Sequence, residues 1–346
     1  MHIYDYSFLK NGEYTEMLGL TNIIYDLRAR EEIRQSSNTA LFESLRRIAI
    51  VDSVESSNAI EGIVATGERI AEMMHGGGTP RNHDEREIIG YSRALDEVYG
   101  TDPVPDISEE YIKHLHYLML EQTSKEAGQY KRRNNWIQER DLNGRLKVRF
   151  VPVTAEHVND AMEQLILAYY DARQDAAINR LLLIACFVVD FLCIHPFMDG
   201  NGRVSRLLTS LLLEEAGFDI GKYISIDKKI NYFKGNYYQV LEESSAGWHD
   251  NKNSYEPFIK FLLQILYQCY KEIDEKFIQG TSIAVPKNKQ IENALLNSFT
   301  PVSKRELCER FPDISVKTIE KVRGEMVREG SIVKIGTYRN ARYKRS

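Results

Sequence analysis

The chain is poor in the residues that build secreted or metal-stapled scaffolds. Only four cysteines, Cys186, Cys193, Cys269 and Cys308, are spread over 346 residues, with no C-x-x-C pair and no metal-ligand spacing. That excludes a disulfide framework and leads us to expect a reduced, cytoplasmic protein. The opening Met1-His2-Ile3-Tyr4-Asp5-Tyr6 has no basic stretch leading into an apolar one, so no secretory leader is expected. The longest apolar run, Leu181 to Ile194, is broken by Asp190 and falls short of the roughly 20 residues a membrane span needs. No membrane partner is therefore expected. Internal repeats and low-complexity tracts are lacking, and His114, His116 and His249 belong to no ligand cluster.

What remains is an ordinary folded composition, 43% hydrophobic and 27% charged, in a chain long enough for two or three domains. The net charge of −5 hides an asymmetry. Residues 286–346 hold 14 Lys or Arg against 7 Asp or Glu, a balance of +7. The first 285 residues hold 31 against 43, a balance of −12. Two parts of opposite sign suggest two jobs.

Most of the body reads as helix. Leu41, Leu45, Ile48, Val51 and Val54 recur at helical spacing, predicting an amphipathic helix from Asn38 to Glu61 that Gly62 ends. Further helices are predicted from His83 to Tyr99, from the cap Ser108 to Gln122, and from the cap Thr154 onward with Val158, Met162, Leu165 and Tyr169 on one face. Ile178 to Ile194 is apolar all round, which marks a buried helix that Pro196 stops. A Leu-rich helix runs from Arg203 to Gly217, another from Tyr255 to Phe277, and Gln279 to Lys287 reads as a linker. The clear strand signal is a hairpin, Asn134 to Gln138 and Leu146 to Val151, around the Asn-Gly turn of residues 140–144. A lone hairpin in a helical protein reads as a flap.

One loop gathers chemistry-bearing side chains: His195-Pro196-Phe197-Met198-Asp199-Gly200-Asn201-Gly202-Arg203-Val204-Ser205-Arg206. Its glycines let the backbone turn tightly and present N–H groups just before a helix N-terminus, an anion-binding arrangement. Arg203 and Arg206, three apart, lean over one side of that helix, and guanidinium groups grip phosphate through paired donors. Asp199 offers hard oxygen to Mg²⁺, which binds through one or two carboxylates plus substrate phosphates. His195 is a candidate general base. Phe197 has no chemistry and is expected to anchor the loop. Taken singly, each residue has an ordinary structural reading. Together they fill every fixed position of H-P-F-x-[DE]-G-N-G-R-x-x-R.

That string is similar to the signature of the Fic family, and the resemblance covers roughly Ser36 to Phe277. It implies a mostly α, Fic-type helical bundle with a β-hairpin flap, transferring AMP from ATP to a Ser, Thr or Tyr hydroxyl of a target protein with Mg²⁺ present. By this resemblance His195 deprotonates the hydroxyl, Asp199 is the metal ligand and Asn201 orients the α-phosphate. Gly200 and Gly202 supply the backbone anion hole, and Arg203 and Arg206 face the β- and γ-phosphates. The hairpin near Asn134 to Val151 resembles the flap that holds a target segment by strand addition. Tyr238 and Leu241, within Tyr237-Tyr238-Gln239-Val240-Leu241, match positions lining the adenine pocket, with core packing as the alternative role of the Tyr pair. Ser245 stands where some relatives carry Asn, offering one hydroxyl in place of a two-sided amide.

Upstream, Ser56-Ser57-Asn58-Ala59-Ile60-Glu61-Gly62 is similar to the family's inhibitory motif, [ST]-x-x-x-E-[GN]. Ser57 and Glu61, one helical turn apart, share a face. The resemblance implies that Glu61 pairs with Arg206 and takes the γ-phosphate's place, giving a self-inhibited adenylyltransferase. Two alternatives stay open: a de-AMPylating hydrolase using Glu61, and a DNA-binding regulator that only senses nucleotide. Family members often dimerise, so a homodimer is compatible with the sequence.

The basic tail predicts a helix over 288–299, a capping box at Ser303 and Glu306 opening a second, and Ser315 capping a third that Gly330 ends. Ile332 to Ile335 and Ala341 to Lys344 then pair as a hairpin. This pattern resembles a winged helix-turn-helix, with Lys317, Lys321 and Arg323 facing DNA and Arg339, Arg342, Lys344 and Arg345 gripping its backbone. Glu320, Glu325 and Glu329 on the third helix weigh the other way, toward packing on protein. The expected organisation is an N-terminal helical region (1–105), a catalytic core (106–280), and a linker with a small winged-helix domain (281–346).

Overall fold

The computed structural model describes residues 2–10, 14–74, 76–140, 146–282, 291–292, 294–295, 301–311, 314–336 and 341–345. The chain divides into two compact units, Met1–Ile273 and Asp274–Ser346. The first unit has one hydrophobic core running from Tyr6 to Ile273, so residues 1–105 share it with the rest of the helical body. No described helix is long and apolar enough to cross a membrane.

Helix α1 (Thr15–Ser37) has no counterpart in the sequence pattern because its apolar residues lie on several sides: Ile24 and Leu27 are buried while Ile23 and Ile33 are exposed. Helix α2 (Thr39–Ile60) buries Phe42, Leu45, Ala49 and Val54, whereas the expected core residue Ile48 points outward. Its last two turns bury Ser53, Ser56, Ser57 and Asn58. Buried polar residues need partners: Ser53 bonds Ser225, Ser57 accepts from Arg206, and Asn58 lies within 3.4 Å of Arg203. After the short α3 (Gly67–Met74) come α4 (His83–Gly100) and α5 (Glu109–Leu120), which pack on each other. Asn82 and Ser108 cap the latter two through bonds from the N–H groups of Glu85 and Tyr111.

The flap is an antiparallel pair, β1 (Ile137–Arg140) and β2 (Leu146–Phe150), with Gln138 opposite Val148. Asn134 to Trp136 lie before the strand, and the predicted turn falls outside the described residues. Two contacts tie the flap's base down: Phe150 stacks on His249 at 5.4 Å, and His249 Nε2 donates to the Val151 carbonyl at 2.7 Å.

Thr154, expected as a cap, accepts no capping bond; a 3₁₀ turn over 155–157 leads into α6 (Val158–Gln174). Helix α7 (Arg180–Ile194) lies between α6 and α8 (Asn201–Glu215), buried except for Leu192 and Arg180. Its lone carboxylate, Asp190, accepts from Tyr6 Oη (2.7 Å), Trp248 Nε1 (2.7 Å) and Tyr255 Oη (2.8 Å). Burial raises its pKa to about 6. The three donors come from the N-terminus and from the turn before the last helix, so one side chain gathers three distant segments. Helices α9 (Ile226–Tyr232), packed on α2, α10 (Lys234–Ser245) and α11 (Glu256–Ser282) complete the body. The last runs past the expected end at Phe277 into the first residues read as linker; 283–287 lie outside the described residues.

In the second unit, Ser303 and Glu306 form the capping box of α12 (Lys304–Arg310), and Ser315 caps α13 (Val316–Arg328). Strands β3 (Val302–Ser303), β4 (Ile332–Ile335) and β5 (Arg342–Arg345) form an antiparallel sheet in the order β3-β5-β4. A separate core of Ile291, Leu295, Leu307, Ile319, Val322 and Ile332 holds it. Arg339 falls outside the described residues.

Candidate active site

The signature loop leaves α7 through His195, whose backbone sits in the left-handed region at φ 51° and ends the helix. It enters α8 through Gly200 at φ 76°, where a Cβ would also come within 2.6 Å of Met119 Cε. Phe197 is fully buried, stacked on His116 at 3.8 Å. His116 in turn accepts the Gly128 N–H at Nδ1 (2.8 Å) and donates from Nε2 to the Asp199 carbonyl (3.2 Å). Burial lowers its pKa to about 4, so it stays neutral and its tautomer is fixed. Lys131 adds a second brace, its N–H bonded to the Pro196 carbonyl (2.8 Å) and its Nζ to the Ile194 carbonyl (3.3 Å). Neither residue stands out in the sequence; only their contacts give them a role.

A cavity of about 380 Å³ opens beside the loop. Of the residues singled out in the sequence, His195, Gly202, Arg206, Tyr238, Leu241 and Glu61 line it, with Ser245 and the flap residues Ile137, Gln138, Arg149 and Phe150. The His195 imidazole donates from Nδ1 to the Leu192 carbonyl at 3.3 Å, which leaves Nε2 as its basic nitrogen. Burial, aided by nearby Lys131, lowers its pKa to about 4, so the ring is neutral and ready to take a proton at neutral pH.

The two arginines part company. Arg206 is buried on α8, with Nε bonded to Ser57 Oγ (2.7 Å) and one terminal nitrogen shared by the Ser57 carbonyl (2.8 Å) and Glu61 Oε1 (2.9 Å). Its other terminal nitrogen is buried without a hydrogen-bond partner. Arg203, expected to face phosphates, does not line the cavity. It is buried against Glu87 of α4 at 2.5 Å and reaches Asn58 at 3.4 Å, because α2 and α4 pack over that side of α8. Asn201, expected to orient a phosphate, closes the loop on itself: Oδ1 accepts the Phe197 N–H (2.9 Å) and Nδ2 donates to the Phe197 carbonyl (2.8 Å). Gly200 likewise shapes the turn without lining the cavity.

Glu61 fills the anion position. Its Oε1 lies where a Cβ on Gly202 would approach to 2.4 Å, directly on the first turn of α8 and on Arg206. The carboxylate there is bonded to the guanidinium and lies in the field of the helix N-terminus. The end of α2 that carries it is held by α10, whose Tyr238 and Lys234 donate to the carbonyls of Ile60 (3.3 Å) and Ala59 (3.4 Å). The buried Asp227 of α9 lies 3.5 Å from Arg206, its pKa raised to about 6 by burial.

Asp199 is exposed, with one oxygen on the Gly200 N–H at 2.6 Å. Among the described residues no group of three or more His, Cys, Asp or Glu is placed to hold a metal ion. Asp199 is thus a single exposed carboxylate on the loop, a donor type that Mg²⁺ takes together with phosphate oxygens.

Residues 106–213, the stretch holding this loop, the flap and both flanking helices, match the Fic/DOC family. The chain contains a Fic domain. Over 251 residues, 68% of the chain, it is 24% identical to the protein adenylyltransferase Fic of Nematostella vectensis. A shorter match, 38% over 72 residues, is to protein adenylyltransferase fic-1 of Caenorhabditis elegans, covering 20% of the chain and 14% of that protein. The chain spans about half the length of the Nematostella relative, 50%. In fold, it is similar to a Fic family protein from Desulfovibrio desulfuricans, with TM-score 0.65, 20% identity and 95% of each chain covered. A Fic domain containing signaling protein from Bacteroides thetaiotaomicron aligns with TM-score 0.61 and 21% identity, covering 74% of this chain and 98% of that one. The helical Fic fold is thus common ground, and the flap and loop occupy the same unit as the N-terminal helices.

Proposed function

We propose that this Fic protein transfers AMP from ATP to a hydroxyl of a target protein and that Glu61 restrains the reaction. The observation that carries this reading is the Glu61 carboxylate on Arg206 and beside Gly202, in a cavity that His195 also lines. In the reaction, Nε2 of His195 takes the target hydroxyl's proton, the oxygen bonds to the α-phosphorus, and pyrophosphate leaves. The α8 N-terminus and Arg206 would receive phosphate oxygens once Glu61 withdraws, and Tyr238 and Leu241 would flank the base. Mg²⁺ brought with the nucleotide and held at Asp199 would neutralise phosphate charge. With Glu61 in place, its carboxylate and a phosphate compete for the same donors, so the resting protein is slow.

Glu61→Gly should raise labelling by AMP, and His195→Ala in that background should abolish it. Mass spectrometry after incubation with ATP and Mg²⁺ reads this directly. Equal label on both variants would end the proposal. If Glu61→Gly instead lost the ability to strip AMP from a modified protein, the hydrolase reading would replace it.

The second unit supports a further role in nucleic-acid binding through the exposed Lys317 and Lys321 of α13 and Lys344 of β5. Arg323 does not join them, since its guanidinium lies 4.7 Å over the Tyr343 ring, and Arg342 is bonded to Glu306 and the Pro301 carbonyl. Affinity for duplex DNA that falls steeply with salt, and falls further in Lys317→Glu with Lys321→Glu, would support this role.

A further inference from the structure

The flap contrasts in charge with the unit it belongs to. Residues 131–149 hold seven Lys or Arg and two Asp or Glu, a balance of +5, within a first 285 residues whose balance is −12. Two of the seven are already spoken for: Lys131 is buried against the catalytic loop, and Arg149 lines the nucleotide cavity. The others with described side chains, Arg132, Arg133 and Lys147, are exposed. Arg133 meets Glu126 only at 4.0 Å, and Arg132 bonds a neutral partner, Gln129. Trp136 (57% exposed), Val148 (44%) and Val151 (51%) stand among them as apolar surface.

The same charge continues below the flap. An open groove of about 720 Å³ is lined by Lys113, Tyr130, Lys131, Arg132, Glu156 and Asn159 among others. It adjoins the catalytic loop, because the Lys131 backbone is bonded to Pro196. A basic strand pair with an aromatic beside it, set in an acidic body, attracts acidic segments and repels basic ones.

We infer that the flap and this groove dock an acidic, extended segment of the target protein, placing its hydroxyl at His195. The inference rests on the AMP-transfer reading for its chemistry, but docking itself needs no nucleotide. Backbone pairing along a flap strand gives the segment its register, and Arg132, Arg133 and Lys147 select for Asp and Glu flanking the modified residue. Flap charge thereby sets which proteins are modified, while Glu61 sets how fast.

The test uses the full-length Glu61→Gly chain and fluorescent peptides with one central Tyr or Thr, flanked by Asp and Glu, by Asn and Gln, or by Lys. Anisotropy titrations without nucleotide should show the acidic peptides binding at least roughly tenfold tighter than the other two sets, with affinity falling as salt rises. Arg132→Glu combined with Lys147→Glu should remove that preference; both positions are exposed, and circular dichroism checks the fold. Equal binding across the three sets, or a preference that survives both charge reversals, overturns the inference. Tighter binding of a single-stranded RNA than of any peptide, lost with the same reversals, overturns it in favour of a nucleic-acid flap. Adding ATP then separates the two readings. Acidic peptides that bind as expected yet gain no AMP leave the docking intact and refute the transfer.

Discussion

A histidine that acts as a base must be uncharged when its substrate arrives. Burial and Lys131 hold His195 near a pKa of about 4, well below the ordinary 6.5. Below that pKa the ring is protonated and cannot accept the hydroxyl proton; above it the ring is competent. The transfer rate of Glu61→Gly should therefore stay level from neutral pH down past 6.5 and fall only toward pH 4. A rate-pH profile with its acidic limb at 6.5 would contradict the burial seen here. Arg203 shows the other use of a charged side chain. Its pairing with Glu87 is buried on both sides, so Arg203→Ala would strand a carboxylate and cost about 3–5 kcal/mol of stability. Urea denaturation measures it, and a loss under about 1 kcal/mol would mean that the pair is better solvated than its burial implies.

The signature loop is held as an element by residues outside the signature. His116 supplies a stacked ring under Phe197 and two hydrogen bonds to flanking backbone. His116→Ala should lower stability by about 2–4 kcal/mol, from the lost ring packing and two orphaned backbone groups. In the Glu61→Gly background it should slow AMP transfer more than it weakens ATP binding, because it displaces the loop carrying His195 and leaves Tyr238 and Leu241 in place. Steady-state kinetics with varied ATP separates the two effects. The pattern of Ser57 and Glu61 was legible because a helix end one turn long places them on one face. The resemblance already named Arg206 as the partner of Glu61; that Arg203 turns to Glu87 instead depended on α4 packing against α8.

At the scale of the molecule, the two units have separate hydrophobic cores. A chain ending after residue 282 should keep the thermal transition of the first unit, and calorimetry of both lengths would show it. Within that unit Asp190 of α7 gathers one donor from the N-terminus, Tyr6, and two from the turn before α11, Trp248 and Tyr255. Asp190→Ala leaves three donors unsatisfied in the core and should cost about 3–5 kcal/mol, read by the same denaturation.

The linear chain already carried the helical periodicity, the signature loop with its spacing, the hairpin, the pairing of Ser57 and Glu61 on one helix face and the opposed charges of its two parts. These are local properties: a cap, a heptad-like stripe or a Gly-Asn-Gly turn acts within a few residues, and its meaning survives without the rest of the fold. Which of the loop's side chains face the cavity, why His116 and Lys131 matter, and where Asp190 finds its donors were settled by packing between segments up to 184 residues apart in sequence. Such contacts are made by backbones that meet only after collapse. A helix such as α1, with apolar residues on several sides, gives no hint beforehand of which side will be covered.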